Sequence, residues 1–93
     1  MLAVFTAVAS LAAGFGFAQS GADVVKSKGC VACHDAEAKK VGPSFKDIAA
    51  KYKSDKGAEA KLVGMLKDGK GHPKIAASDA ELKAAVGQVL STK

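Results

Sequence analysis

The stretch Cys30-Val31-Ala32-Cys33-His34 decides how the rest of the chain is interpreted. It uses both cysteines of the chain and one of its two histidines. On a helix, Cys30 and His34 are four residues apart and share one face, with Cys33 at the edge of that face. Two thiols on one side can each form a thioether with a vinyl group of haem, while the imidazole faces the iron. The spacing therefore predicts covalent attachment of one c-type haem, haem c.

Other uses of this stretch account for it less well. A structural zinc ion needs four ligands, and two cysteines with scattered histidines do not supply them in any usual pattern. A thioredoxin-like Cys-x-x-Cys would lie in a βαβ pattern, and the sequence contains no convincing strand. A simple disulfide between Cys30 and Cys33 stays open, but it would leave His34 without a role.

The first 18 residues differ from the rest in composition. Residues 2–18 carry no charged side chain and end in Gly-Phe-Ala, with small residues at the first and third positions before a cleavage site. We therefore predict a secretory signal over residues 1–18 and a single domain over residues 19–93. No basic residue precedes the apolar run, so an uncleaved anchor stays open as the alternative, and it would be the only membrane contact.

The charge of the chain indicates the kind of partner it meets. All 14 basic residues are lysines and, with 9 acidic residues, they give a formal net charge of +5. A basic surface attracts acidic partners and speeds encounter with them. Nucleic acid is not expected as a partner, because the chain has no arginine and no recognisable nucleic-acid-binding module. For any single lysine, a purely solubilising role is the plain alternative.

The sequence that follows the predicted signal, residues 19–93, predicts about four short helices. Its size is near the limit at which one apolar core is sufficient, and a covalently bound haem would supply both a staple and an apolar surface. Serines at the starts of two helices predict N-caps, and Ser78 with Glu81 predicts a capping box. The predicted helices cover Ala22–Cys33, Phe45–Lys53, Ala58–Lys67 and a last segment that opens at Ser78.

Several side chains between these helices are candidates for the site. Gly-Pro at positions 42 and 43 predicts a turn, and a haem-binding histidine needs an acceptor for its second ring nitrogen. Phe45 lies at helical spacing with other apolar residues and is expected to pack against the haem. Tyr52 is expected to pack in the core or on the surface, with a hydrogen bond to a haem propionate as the alternative. Met65 is expected to fill a gap in the core.

The order of these motifs resembles that of class I monohaem cytochromes c, most of all the short bacterial periplasmic type. The resemblance extends over nearly all of residues 21–93. It is carried by Cys30–His34, Val41–Tyr52, Gly57–Ala60, Ser78-Asp79 and Val89–Ser91. It implies an all-α fold around one covalently attached haem, in which the first and last helices cross.

The resemblance also implies a function. Members of this family carry single electrons in the periplasm and are not enzymes. The expected partners are redox proteins with acidic docking surfaces, such as a respiratory reductase, an oxidase or another cytochrome, and the protein is expected to be a monomer. By the same resemblance, His34 is the proximal iron ligand, and the carbonyl of Pro43 accepts a hydrogen bond from its second ring nitrogen.

The sequence departs from the family at the distal side of the iron. The usual distal ligand is a methionine followed by proline in the loop before the last helix, whereas this chain has His72-Pro73 in a shorter loop. The family also tends to place tryptophans near the propionates, and this chain has none. These departures leave the distal ligand as the main question that the resemblance does not answer.

Three candidates for the distal ligand stay open. We expect His72, with Met65 as a less favoured alternative; the third choice is no protein ligand, or a lysine such as Lys70 or Lys74. Two imidazoles predict a low-spin haem of lower potential than its methionine-bound relatives. If His72 were displaceable, the protein would instead sense or bind small gases such as nitric oxide or carbon monoxide.

Overall fold

The computed structural model describes residues 20–93, so the predicted signal over residues 1–18 lies outside the described residues. The regular structure consists of four α-helices and one short 3-10 helix, and residues 20–93 contain no strand. In chain order these are α1 (Gly21–Ser27), the 3-10 helix Cys30–Ala32, α2 (Phe45–Lys51), α3 (Ala58–Asp68) and α4 (Asp79–Leu90). The predicted all-α fold class is confirmed. Within the described part, no helix is long and apolar enough to cross a membrane.

Serine side chains begin three of the four α-helices. Ser20, Ser44 and Ser78 each accept a hydrogen bond from the backbone N–H three residues further on, at 3.0–3.2 Å. At Ser78 the carboxylate of Glu81 accepts in return from the serine N–H at 3.0 Å, which completes the predicted capping box. This backbone hydrogen bond holds the pKa of Glu81 below its ordinary value.

The prediction of one helix from Ala22 to Cys33 is wrong beyond Ser27. Gly29 adopts a φ of +75°, a left-handed conformation that glycine reaches at low cost and that ends an α-helix. The chain then turns into the 3-10 helix, and the backbone N–H of His34 donates to the carbonyl of Cys30 at 2.9 Å. One helical turn therefore still joins these two residues. The other helix bounds lie within two residues of the prediction.

Helices α1 and α4 lie directly against one another. A Cβ added at Gly21 would overlap the carbonyl oxygen of Ala84 and lie 2.7 Å from the Cβ of Gln88. The two backbones can approach this closely only because position 21 has no side chain. The buried core next to this contact is drawn from α1, α2 and α4, and comprises Val24, Val25, Phe45, Ala49, Leu82, Ala85 and Val86.

Helix α3 contributes less to the closed core than its apolar pattern predicts. Ala58 is its one buried residue, whereas Leu62, Met65 and Leu66 are half-buried. These three side chains line a cavity. The expectation that Met65 fills a gap in the core is therefore corrected, because this side chain forms part of the cavity wall. Helix α3 presents its apolar residues to the cavity.

Candidate haem site

A cavity of about 530 Å³ opens between the helices. Its walls come from the segment Cys30–His34, the Gly-Pro turn, helices α2, α3 and α4, and the loop that precedes α4. Most of its lining is apolar, with Ile48, Leu66 and Val86 as examples from three different helices. This volume lies in the range of sites that hold small molecules and cofactors.

The two thiols of the attachment motif reach the same cavity. Cys30 is half-buried and Cys33 is exposed, and both line the cavity as free cysteines. Burial raises the pKa of the Cys30 thiol, more than a backbone hydrogen bond lowers it. Two thioethers to a single haem require two sulfur atoms at the same cavity, and this short segment provides them.

The imidazole of His34 is held by three neighbours. Its Nδ1 lies 2.6 Å from the carbonyl oxygen of Pro43. Since a carbonyl can only accept, Nδ1 carries the hydrogen and donates it, which leaves Nε2 with a free lone pair. A Cβ at Gly42 would lie 2.9 Å from Nδ1 and 3.0 Å from Nε2, so the backbone there touches the ring. The Phe45 ring centroid lies 5.6 Å away, with 25° between the planes.

The imidazole of His72 has the same tautomer as that of His34. Its Nδ1 lies 2.7 Å from the carbonyl oxygen of Pro73, so Nε2 is again the nitrogen with a free lone pair. The ring centroids of His34 and His72 are 6.0 Å apart, and the two planes differ by 1°. Metal–imidazole bonds are about 2 Å long, so two imidazoles that bind one metal ion from opposite sides have ring centres about 6 Å apart.

The loop that carries His72 is built on two glycines. Gly69 and Gly71 have φ values of +70° and +69°, in the left-handed region that favours glycine. A backbone hydrogen bond of 2.9 Å joins the end of this loop, at Ile75, back to α3. The hydrogen bond of His72 is to the next residue, whereas that of His34 is to a residue nine positions away. The hydrogen bond of His72 therefore lies within its own loop, whereas that of His34 joins two segments of the chain.

The other candidates for the distal position differ in their placement. Met65 lines the cavity, and its terminal methyl carbon lies 3.9 Å from where a Cβ of Gly71 would be. It is thus a neighbour of the loop that carries His72. Lys70 and Lys74 are exposed and do not line the cavity.

The structure brings the predicted site residues to this one cavity, except for the alternative distal ligands Lys70 and Lys74. The set comprises Cys30, Cys33, His34, Pro43, Phe45, Met65 and His72. Sequence reasoning missed two further residues. The sequence pattern indicates only a turn at Gly42, although the position of Gly42 directly before the acceptor carbonyl is a signal of its closeness to His34. No motif indicates Lys51, although it directly precedes Tyr52, and both residues line the cavity.

The residues present fit a haem. Apolar walls suit the faces of a porphyrin, two thiols suit its two vinyl groups, and an imidazole with a free Nε2 suits its iron. Both His34 and His72 supply such an Nε2, because in each a backbone carbonyl accepts a hydrogen bond from Nδ1 and keeps the hydrogen on that nitrogen.

Comparisons with known proteins agree with this fit. The family model described as Cytochrome c matches residues 18–88. The chain is 41% identical over 100 residues to cytochrome c-552 of Nitrosomonas europaea, with 99% of this chain and 95% of that protein covered. It is 44% identical over 75 residues to cytochrome c-551 of Pseudomonas aeruginosa, with 73% and 72% covered.

Solved structures show the same fold. The crystal structure of wild-type Nitrosomonas europaea cytochrome c552 matches with a TM-score of 0.68 at 38% identity, over 77% of this chain and 99% of that one. The class 1 cytochrome MtoD from Sideroxydans lithotrophicus ES-1 matches with a TM-score of 0.71 at 30% identity, over 77% and 91%.

The fold and the cavity define a small haem protein of class I. The chain belongs to the cytochrome c family. Its cofactor is a covalently bound haem c, and its family role is electron transfer. The predicted family, fold and cofactor are thereby confirmed.

Proposed function

We propose that the protein is a periplasmic carrier of single electrons, with haem c held by Cys30 and Cys33 and its iron bound by His34 and His72. The observation that carries this proposal is the pair of parallel imidazoles, whose ring centroids lie 6.0 Å apart. Nδ1 of each imidazole donates a hydrogen bond to a backbone carbonyl. The haem supplies the one-electron iron couple, and the protein supplies binding, orientation and electrostatics. The protein has no substrate to convert in this role.

The chain's own residues perform three tasks in this proposal. The carbonyl of Pro43 fixes the tautomer of His34 and makes its Nε2 a better donor. Phe45 and the aliphatic wall exclude water from the ring faces, which lowers the local dielectric around the iron. The thiols of Cys30 and Cys33 form the two covalent bonds that keep the cofactor in place.

The identity of the distal ligand sets the reduction potential. Methionine opposite histidine raises the potential of a haem, and a second imidazole favours ferric iron. His72→Met should therefore raise the reduction potential, and His72→Ala should remove the low-spin six-coordinate spectrum. Met65→Leu is the matched control, because Met65 shares the cavity wall. If Met65→Leu alone abolishes the low-spin spectrum, Met65 is the ligand and the proposal for His72 fails.

We propose that partners dock near the attachment motif. Val31 and Val41 are the large apolar side chains most open to solvent in the described part, at 47% and 82% exposure. The amine of Lys40 donates to the carbonyl of Val31 at 3.2 Å, which ties the loop carrying Val41 to the 3-10 helix. Val41 also lines the cavity. Apolar contact here would bring a partner close to the haem, while the net charge of +5 attracts an acidic redox protein.

The test of this docking is the ionic-strength dependence of electron transfer to an acidic partner. The second-order rate should fall as salt rises, because salt screens charges on the two surfaces. Val41→Asp should lower the rate further, by introducing a repulsive charge into the contact. A rate that is independent of salt would refute acidic docking. Sedimentation of the free protein should give a monomer.

The location of the protein depends on its first residues. We propose that residues 1–18 direct export and are removed, so that the mature protein begins at Gln19. N-terminal sequencing of the protein from the periplasmic fraction tests this. A chain that begins at Met1 and sediments with membranes would instead support the anchor.

One observation favours a second function. The hydrogen bond of His72 is to the next residue, Pro73, whereas the hydrogen bond of His34 is to a residue nine positions away. An imidazole that leaves easily would open the iron to nitric oxide or carbon monoxide. Binding of carbon monoxide to the reduced protein within milliseconds, without denaturant, would favour this gas-binding role. Inertness to carbon monoxide would favour the electron carrier.

A further inference from the structure

Two adjacent residues give the cavity wall its one further polar patch. Apart from the two thiols and the two imidazoles, the polar side chains that line the cavity within residues 20–93 are those of Lys51 and Tyr52. Lys51 is the last residue of α2, and Tyr52 is its C-cap. The ammonium nitrogen of Lys51 lies 5.5 Å from the centre of the Tyr52 ring. An ammonium group and a phenol therefore lie together at the margin of an apolar cavity.

The fold itself makes little use of these two groups. The hydrogen bonds and ion pairs within residues 20–93 include neither the amine of Lys51 nor the hydroxyl of Tyr52. The lysines at positions 28, 61 and 67, by contrast, each pair with a carboxylate. No carboxylate lines the cavity in the described part of the chain. The cavity thus offers a cation and a phenolic donor, with no anion of its own beside them.

The cofactor brings the missing anions. A haem has two propionate carboxylates, on the edge of the ring remote from the vinyl carbons that bind cysteine. Carboxylates at the margin of an apolar cavity need a cation or hydrogen-bond donors, since desolvation of an unpaired charge is costly. The C-terminal end of a helix carries partial negative charge and disfavours a nearby anion. The ammonium of Lys51 at the end of α2 offsets that charge.

We propose that Lys51 and Tyr52 bind the haem propionates, Lys51 through its charge and Tyr52 through its O–H. This inference rests on the proposed haem site and adds an anion-binding edge to it. Lys51 is exposed and also lines the cavity, which suits a long side chain whose alkyl stem can cover apolar surface while its charged head stays in water. Tyr52 is half-buried and lines the same cavity.

The test uses three variants of the haem-loaded protein. Lys51→Met removes the charge, Tyr52→Phe removes only the hydroxyl, and Lys53→Met is the control. Lys53 is exposed, lies two residues from Lys51 and does not line the cavity, so its substitution removes the same formal charge elsewhere. The readouts are the proton resonances of the propionate side chains and the reduction potential.

The proposal predicts that the propionate resonances shift in Lys51→Met and in Tyr52→Phe, and stay in place in Lys53→Met. It also predicts a downward shift of the reduction potential in Lys51→Met that exceeds the shift in Lys53→Met, because loss of the nearby cation favours ferric iron. Equal potential shifts in the two lysine variants, or unmoved propionate resonances in Lys51→Met and Tyr52→Phe, would overturn it. A wild-type protein without covalent haem would instead overturn the proposed function.

Discussion

Replacement of Gly42 by alanine tests how the proximal imidazole is positioned. Gly42 precedes the acceptor carbonyl of Pro43, and its backbone N–H donates to the carbonyl of Cys33 at 2.8 Å. A methyl group at Gly42 would lie 2.9 Å from Nδ1 and 3.0 Å from Nε2 of His34, and closer still to Cε1. Gly42 is not among the residues with positive φ, so the effect of the substitution comes from this contact and not from backbone strain.

The size of the effect follows from these distances. Unstrained contacts between heavy atoms lie at about 3.5–4.0 Å, so the closest contact, with Cε1, requires the imidazole or the turn to move by about 1 Å or more. Overpacking of this kind costs about 1–3 kcal/mol. A shift of the ring also weakens the 2.6 Å hydrogen bond from His34 to Pro43, which contributes about 1 kcal/mol more. We therefore expect Gly42→Ala to lower the free energy of unfolding by about 2–4 kcal/mol.

Two helical glycines give matched controls. A Cβ added at Gly64 or Gly87 meets nothing within 4 Å, so Gly64→Ala and Gly87→Ala should each stabilise the protein by about 0.5–1 kcal/mol. The assay is urea unfolding of the haem-loaded protein, together with its paramagnetic-resonance spectrum, in which Gly42→Ala alone should alter the axial signals. Wild-type stability with an unchanged spectrum in Gly42→Ala would refute the reasoning.

Three further predictions concern the fold. Gly21→Ala should destabilise the contact of α1 with α4 by about 1–3 kcal/mol in urea unfolding, because the methyl group overlaps the carbonyl of Ala84. Ser44→Ala should lower the free energy of unfolding by about 1–2 kcal/mol in the same assay, because it removes a cap that is only 1% exposed. The loss should exceed that of Ser20→Ala, since the cap at Ser20 is exposed. Equal losses in the two variants would contradict the burial argument. The pKa of Glu81 is lower in the folded protein than in the unfolded chain, so its contribution to stability is present above the unfolded pKa and is lost as pH falls through the folded pKa. Glu81→Gln should therefore flatten the acid limb of a stability–pH curve, and an unchanged limb would count against the capping box.

The sequence predicted best what short-range chemistry determines. Serine caps act on backbone groups three residues away, so Ser44 and Ser78 could be assigned without any tertiary contact. The placement of Cys30 and His34 on one face likewise needs only a single helical turn. For the same reason, these features remain correct although the first helix ends much earlier than predicted.

The rest depends on contacts between distant segments. A glycine such as Gly29 is tolerated within a helix and also ends one, and tertiary packing decides between the two. The apolar spacing of α3 predicts a buried face but does not say whether protein or cofactor covers it. The parallel imidazoles of His34 and His72 result from the turn at Pro43 and the two-glycine loop, neither of which has a periodic pattern.

The central claim is that His72 binds the iron opposite His34. The most direct test is the paramagnetic-resonance and visible absorption spectrum of the ferric wild-type protein, recorded beside His72→Ala. The account predicts a low-spin signal of two imidazoles in the wild type, no absorption from an iron–sulfur bond, and loss of the low-spin signal in His72→Ala. An iron–sulfur band in the wild type, or a His72→Ala spectrum identical to that of the wild type, would contradict it.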